Sequence, residues 1–130
     1  MTKWRLPPFE GVFYLPRRGL CQGRVPGQNV AMAEWIYFLH PPRENFAATM
    51  TEAEAEAWDR HFERLKRMRD AGTLVLAGPT LGSVNTGITI FEAADEDAAQ
   101  KIVDGDPAVE GGFARGELRP FRVSLLRGRD

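Results

Sequence analysis

Residues 51–79 read TEAEAEAWDRHFERLKRMRDAGTLVLAGP, a stretch that carries a helix start, a helix stop and a strand in that order. Thr51 and Glu54 have the spacing of a capping box, in which the Thr hydroxyl takes a free backbone N–H of the first turn and the Glu carboxylate reaches back to the Thr amide. The spacing predicts a helix to about Ala71, with Gly72 closing it, because a residue without Cβ reverses the chain at little cost. Leu74-Val75-Leu76-Ala77 is an apolar run of strand length, ended by Gly78-Pro79. Within the helix, Trp58, Phe62, Leu65 and Met68 recur at spacings of four, three and three, the mark of a buried stripe.

Outward from this unit the chain repeats the alternation. Trp35 to His40 is rich in aromatic and β-branched residues and stops at Pro41-Pro42, so it reads as a first strand. Gly87 to Phe91 follows the turn-rich segment 82–86 and is expected to pair with residues 74–77 as a hairpin. Asp95 is placed to cap a second helix through about Val103, with Ala99, Ile102 and Val103 facing inward. Phe121 to Leu125 alternates as a final strand. The order is βαββαβ, an α+β, ferredoxin-like pattern in which two right-handed crossovers put both helices on one face of an antiparallel sheet.

The other sheet face then needs a cover. The first strand puts Trp35, Tyr37 and Leu39 on one side and Ile36 and Phe38 on the other, so neither side is polar. A second copy packing sheet against sheet is the expected solution, giving a homodimer. The alternative cover is the N-terminal region, anchored by Trp4, Phe9, Phe13 and Tyr14.

Composition narrows the class. The chain has 130 residues, of which 43% are hydrophobic and 27% charged, which is ordinary for one globular domain. A net charge of -1 gives no electrostatic case for nucleic acid. Cys21 is the single cysteine, so no intramolecular disulfide or four-thiolate zinc site can form, and a cytoplasmic location is expected. No apolar segment approaches the ~18 residues a membrane helix needs. Residues 1–31 hold five Lys or Arg against one acidic residue, with four Pro and four Gly, whereas the remainder is acidic. We expect 1–31 to be an irregular extension, the domain to run over 32–130, and Met32 to be the initiator, which the intact mass of the native protein checks.

His61 lies three residues after Trp58 and four before Leu65, on the helix stripe or its edge. A partly buried histidine that meets a carboxylate is an oriented acid or base near neutral pH. The same placement also suits a histidine satisfied within the core. Downstream, Asp104-Gly105-Asp106-Pro107 offers the carboxylate. Asp106 is held extended by the proline after it, and Asp104 competes for the turn-forming role. His40, beside Pro41-Pro42, reads as a solvated strand end. Arg60, Arg64, Arg67 and Arg69 share the helix with Glu54, Glu56, Asp59 and Glu63, a pattern of solvated ion pairs. Neither a metal-ligand spacing nor a glycine-rich phosphate loop occurs, so no metal and no nucleotide cofactor is expected.

These motifs together resemble the YciI-like (YCII-related) family of small bacterial proteins. The resemblance runs through Trp58-Asp59-Arg60-His61-Phe62, Gly72 to Pro79, Asp104 to Val109 and Leu118-Arg119-Pro120-Phe121. It implies a ferredoxin-like domain that dimerises as an α/β barrel of two facing sheets, with a His-Asp pair falling on His61 and Asp106. The family is similar to dehydrochlorinases that remove HCl from chlorinated hydroxyquinols. Many members carry a bulky aromatic where this chain has Ala108. The expected function is a cofactor-independent lyase or isomerase acting on a small cyclic or aromatic molecule, with His61 moving the proton and Asp106 orienting it. The competing expectation is a non-catalytic dimeric module that holds a small ligand.

Overall fold

The computed structural model describes residues 32–128. The readings made for 1–31, both as an extension and as a sheet cover, lie outside the described residues. Four strands and three helices follow in the order β1 (Ala33–His40), α1 (Glu52–Asp70), β2 (Leu74–Pro79), β3 (Gly87–Ala93), α2 (Glu96–Asp104), α3 (Pro107–Glu110) and β4 (Arg115–Phe121), with a short 3-10 turn at Phe46–Ala48. The sheet order is β2-β3-β1-β4. All three pairings are antiparallel, an arrangement compatible with a ferredoxin-like fold.

The α1 capping box forms as the spacing requires. Glu54 N–H donates to Thr51 Oγ1 at 3.1 Å, and Thr51 N–H donates to Glu54 Oε1 at 2.8 Å. Gly72 has φ +83°, the left-handed conformation that lets the chain leave the helix for β2. Asp95 caps α2 through Ala98 N–H.

β1 lies between β3 and β4, so one of its faces forms the centre of the core. Trp35, Tyr37 and Leu39 pack with Phe91, Ala93, Ala99, Val103 and Ala108. Ile36 and Phe38 point to the opposite face and are half-buried. By register Leu76 and Phe121 share that opposite face, where they are 44% and 40% exposed.

Three expectations are corrected. The last strand is Arg115–Phe121, not Phe121 to Leu125. Its Gly116 and Pro120 read as turn residues, yet an edge strand pairs on one side only and tolerates a residue lacking N–H. Gly116 is also required by packing, since a Cβ there would lie 2.7 Å from Val103 Cγ1. Beyond it the chain departs, and Val123 N–H donates to Glu34 Oε1 at 2.7 Å. Secondly, Phe62 is not in the core but 59% exposed; the buried residues of α1 are Glu54, Ala57, His61 and Leu65, with Phe62 one step around the helix from them. Thirdly, the turn after α2 continues into α3, which Asp106 caps.

Glu54 is held from two sides, by the capping box and by a fork from Arg43, with Nη2 at 2.7 Å from Oε1 and Nη1 at 3.0 Å from Oε2. The Arg43 hydrogen bonds, followed by the Thr51 N–H, lower its carboxyl to about 2. A lowered folded-state value means that the stabilisation is complete above the unfolded value of about 4.3 and is lost as pH falls toward the folded one. The melting temperature of Glu54→Gln should therefore lie below that of the unsubstituted protein at pH 6, with the gap closing between about pH 4.3 and pH 2. A gap that stays constant over that range would show that the carboxylate charge is not what stabilises.

Candidate functional site

His61 is placed by α1 and Asp106 by the turn between α2 and α3. Ala57 and Leu65, each four residues from His61, are buried on the same stripe, which carries the imidazole into the core at 8% exposure. Asp106 is fully buried. Its backbone is extended, with φ -67° and ψ 130°, as a residue before proline must be, and its side chain caps α3 with Ala108 N–H donating to Oδ1 at 2.8 Å. Pro107 suits the first helical position because its missing N–H would have had no partner there.

The two residues meet: His61 Nδ1 lies 2.7 Å from Asp106 Oδ2. A buried carboxylate only accepts, so this contact fixes the tautomer with the proton on Nδ1. Among the described residues Nε2 has no protein partner, and His61 lines a cavity of about 360 Å³. The walls are apolar: Trp58, Phe62 and Leu65 from α1, and Ala77, Gly78 and Pro79 from β2. Thr89 adds a hydroxyl to them and Asp59 a carboxylate. Trp58 is anchored by Phe46 at 4.7 Å between ring centroids and flanks His61 at 6.0 Å.

Two further residues belong to this network. Tyr37 Oη donates to Asp106 Oδ2 at 2.5 Å, and Arg64 Nη1 lies 3.8 Å from the same oxygen. Burial pushes the Asp106 carboxyl up, but the hydrogen bonds from His61, Tyr37 and the Ala108 N–H together bring it below the ordinary carboxylate range. Burial first, then the neighbouring Asp106 charge, push the Tyr37 phenol up, so it remains a donor.

Sequence reasoning brought His61 and Asp106 together and left Asp104 open as a competitor. Asp104 is exposed and accepts from Gln100 Nε2 at 2.9 Å, outside the site. His40 is half-buried on the sheet face opposite to Tyr37, with Nε2 2.8 Å from Glu117 Oε1. Arg64, grouped by sequence with the solvated arginines, instead turns inward and donates from Nη2 to Ile102 O at 2.7 Å. Its position three residues after His61 was the available signal. For Tyr37 the signal was a phenol in a core strand, which must find a partner for its O–H. No group of three or more metal-ligating side chains occurs among the described residues.

Comparison with known proteins gives a family and a fold. The YCII-related domain model matches residues 35–122. No curated protein matches the chain in sequence. Among solved structures, the chain is similar to 5-chloro-2-hydroxyhydroquinone dehydrochlorinase (TftG) from Burkholderia phenoliruptrix AC1100, determined in complex with 2,5-dihydroxybenzoquinone. That likeness has a TM-score of 0.52 at 16% identity, and covers 68% of this chain and 93% of the other.

Proposed function

This chain belongs to the YCII-related domain family, and from that membership together with its buried His-Asp pair we propose that it is a small cofactor-independent acid–base enzyme. The observation that carries the reading is the asymmetry of His61. Nδ1 is committed to a fully buried carboxylate, while Nε2 has no protein partner among the described residues and the ring borders an apolar cavity. An imidazole held in one tautomer by a second residue is oriented for proton transfer at its free nitrogen. Burial of Asp106 among donors rather than water keeps the orienting charge strong.

The substrate class is a small cyclic or aromatic molecule. A cavity of about 360 Å³ with Trp58, Phe62 and Pro79 on its walls suits one ring with few substituents. The reaction is elimination or isomerisation: Nε2 takes a proton from the substrate, and the electron pair left behind either expels a leaving group such as halide or shifts a double bond. In elimination the halide leaves with the electron pair of the broken carbon–halogen bond and the proton on His61 is later lost to water, whereas in isomerisation His61 returns the proton to the far carbon of the shifted double bond. The structurally similar dehydrochlorinase supports elimination as the first reaction to test.

The active form is a homodimer. Ile36, Phe38, Leu76 and Phe121 share with His40, Glu117 and Arg119 a sheet face that no helix among the described residues covers, and a second copy covers it. Sedimentation equilibrium should return twice the chain mass; a monomer at micromolar concentration would sink this part of the reading.

The function is tested with a panel of halogenated and hydroxylated cyclic compounds, reading halide release and deuterium uptake from solvent. Turnover by the full chain that disappears in His61→Ala supports the proposal. Binding of panel compounds with neither readout would instead make the cavity a ligand-holding module.

A further inference from the structure

Asp106 is a charge with no access to water, and such a charge needs a countercharge. Two groups can supply it. His61 does so only by taking a second proton, on Nε2, which would spend the free nitrogen. Arg64 does so permanently, because a guanidinium stays protonated in proteins.

The geometry gives Arg64 this task without making it a hydrogen-bond partner. Asp106 Oδ2 already receives Tyr37 Oη at 2.5 Å and His61 Nδ1 at 2.7 Å, which uses its two lone pairs. Arg64 Nη1 stands 3.8 Å away, buried and with no hydrogen bond of its own among the described residues. The other end of the guanidinium is pinned, with Nη2 donating to Ile102 O in the last turn of α2. Arg64 is thus held where its charge reaches Asp106 while its donors do not displace His61.

We propose that Arg64 is a positioning residue that balances Asp106 and so keeps His61 neutral at rest, with Nε2 unprotonated toward the cavity. The resting protein is then a base, and its first step takes a proton from an acidic C–H or O–H of the substrate rather than giving one. Remaining groups that face the imidazole are consistent with this. Tyr37 on β1 is a protonated phenol, Asp59 on α1 is an exposed carboxylate at the cavity, and β2 and β3 present Ala77, Gly78, Pro79, Ile88 and Thr89 there, none of which titrates. The inference rests on His61 being the acid–base group, but its test needs no substrate.

The experiment is nitrogen NMR of the ¹⁵N-histidine-labelled full chain at pH 7.5, with His40 as an internal reference. In the unsubstituted protein the His61 Nε2 resonance should lie in the bare-nitrogen region and Nδ1 in the N–H region. Arg64→Gln removes the charge and keeps an amide donor for Ile102 O, so Nε2 should move to the N–H region. Arg64→Lys, which restores the charge, should return it. An unmoved Nε2 in folded Arg64→Gln would reduce Arg64 to an anchor for α2 and overturn the inference. If that variant does not fold, the unsubstituted protein still decides: a doubly protonated His61 at pH 7.5 overturns it, whatever turnover the substrate panel shows.

Discussion

Asp106→Ala is expected to destabilise the domain by about 3–5 kcal/mol, the range found when one member of a buried charged cluster is removed. The substitution strips partners from Tyr37 Oη, His61 Nδ1 and Ala108 N–H, and leaves Arg64 as a largely buried charge without its carboxylate. None of these groups has ready access to water, so each keeps most of its desolvation cost. Asp106→Asn should cost less, since an amide oxygen can still accept from Tyr37 and His61, while Ala108 N–H and Arg64 lose their partner as in the Ala variant. Chemical denaturation of both variants measures the difference. Dependence on pH provides the internal check. The Asp106 carboxyl lies below its ordinary value in the folded protein, so its ionic contribution is complete above the unfolded value of about 3.9 and is lost as pH falls through the folded one. The stability gap between Asp106→Asn and the unsubstituted protein should shrink on acidification. An Asp106→Ala protein as stable as its parent at pH 7 would show that the network is not what holds α1, β1 and the α2–α3 turn together.

The second large effect is on rate. With the first substrate that turns over, His61→Ala should lower kcat by about 10²–10⁴, the usual contribution of a positioned acid–base group. KM should move little, because proton transfer is an interaction made in the transition state and the walls formed by Trp58, Phe62 and Pro79 are untouched. A fall carried by KM alone would make His61 a contact rather than a proton carrier. Steady-state kinetics separate the two outcomes, and halide and deuterium readouts on the same samples identify the bond being broken.

Much of the fold could be read from local signals. The Thr51 capping box, Gly72 and the Asp95 cap are short-range chemistry, and each formed as its spacing required. β4 was misplaced because strand identity there rests on its partner. Arg115 to Pro120 has the composition of a turn, and only pairing with β1 makes it a strand. Phe62 was misassigned for a related reason: periodicity gives a face, but His61 shares that face, and the sheet decides which edge of the stripe meets solvent. Helix period carried His61 inward, but the choice of Asp106 over Asp104 came from the family resemblance, because two carboxylates in one turn look alike locally. Tyr37 and Arg64 were not legible, since nothing local tells a core tyrosine or a helical arginine which distant carboxylate it will meet.

The network around Asp106 also sets when, in the life of the molecule, a site exists at all. Tyr37 and Asp106 are 69 residues apart in the chain, and His61 and Asp106 are 45 apart. A nascent chain still inside the ribosome beyond α2 has the imidazole and the phenol but not the carboxylate that orders them. The carboxylate that orders both rings is therefore encoded after them, and the network closes only once residues 104–110 dock against α1 and β1. A chain truncated upstream of that turn would hold the imidazole and the phenol without the carboxylate that aligns them.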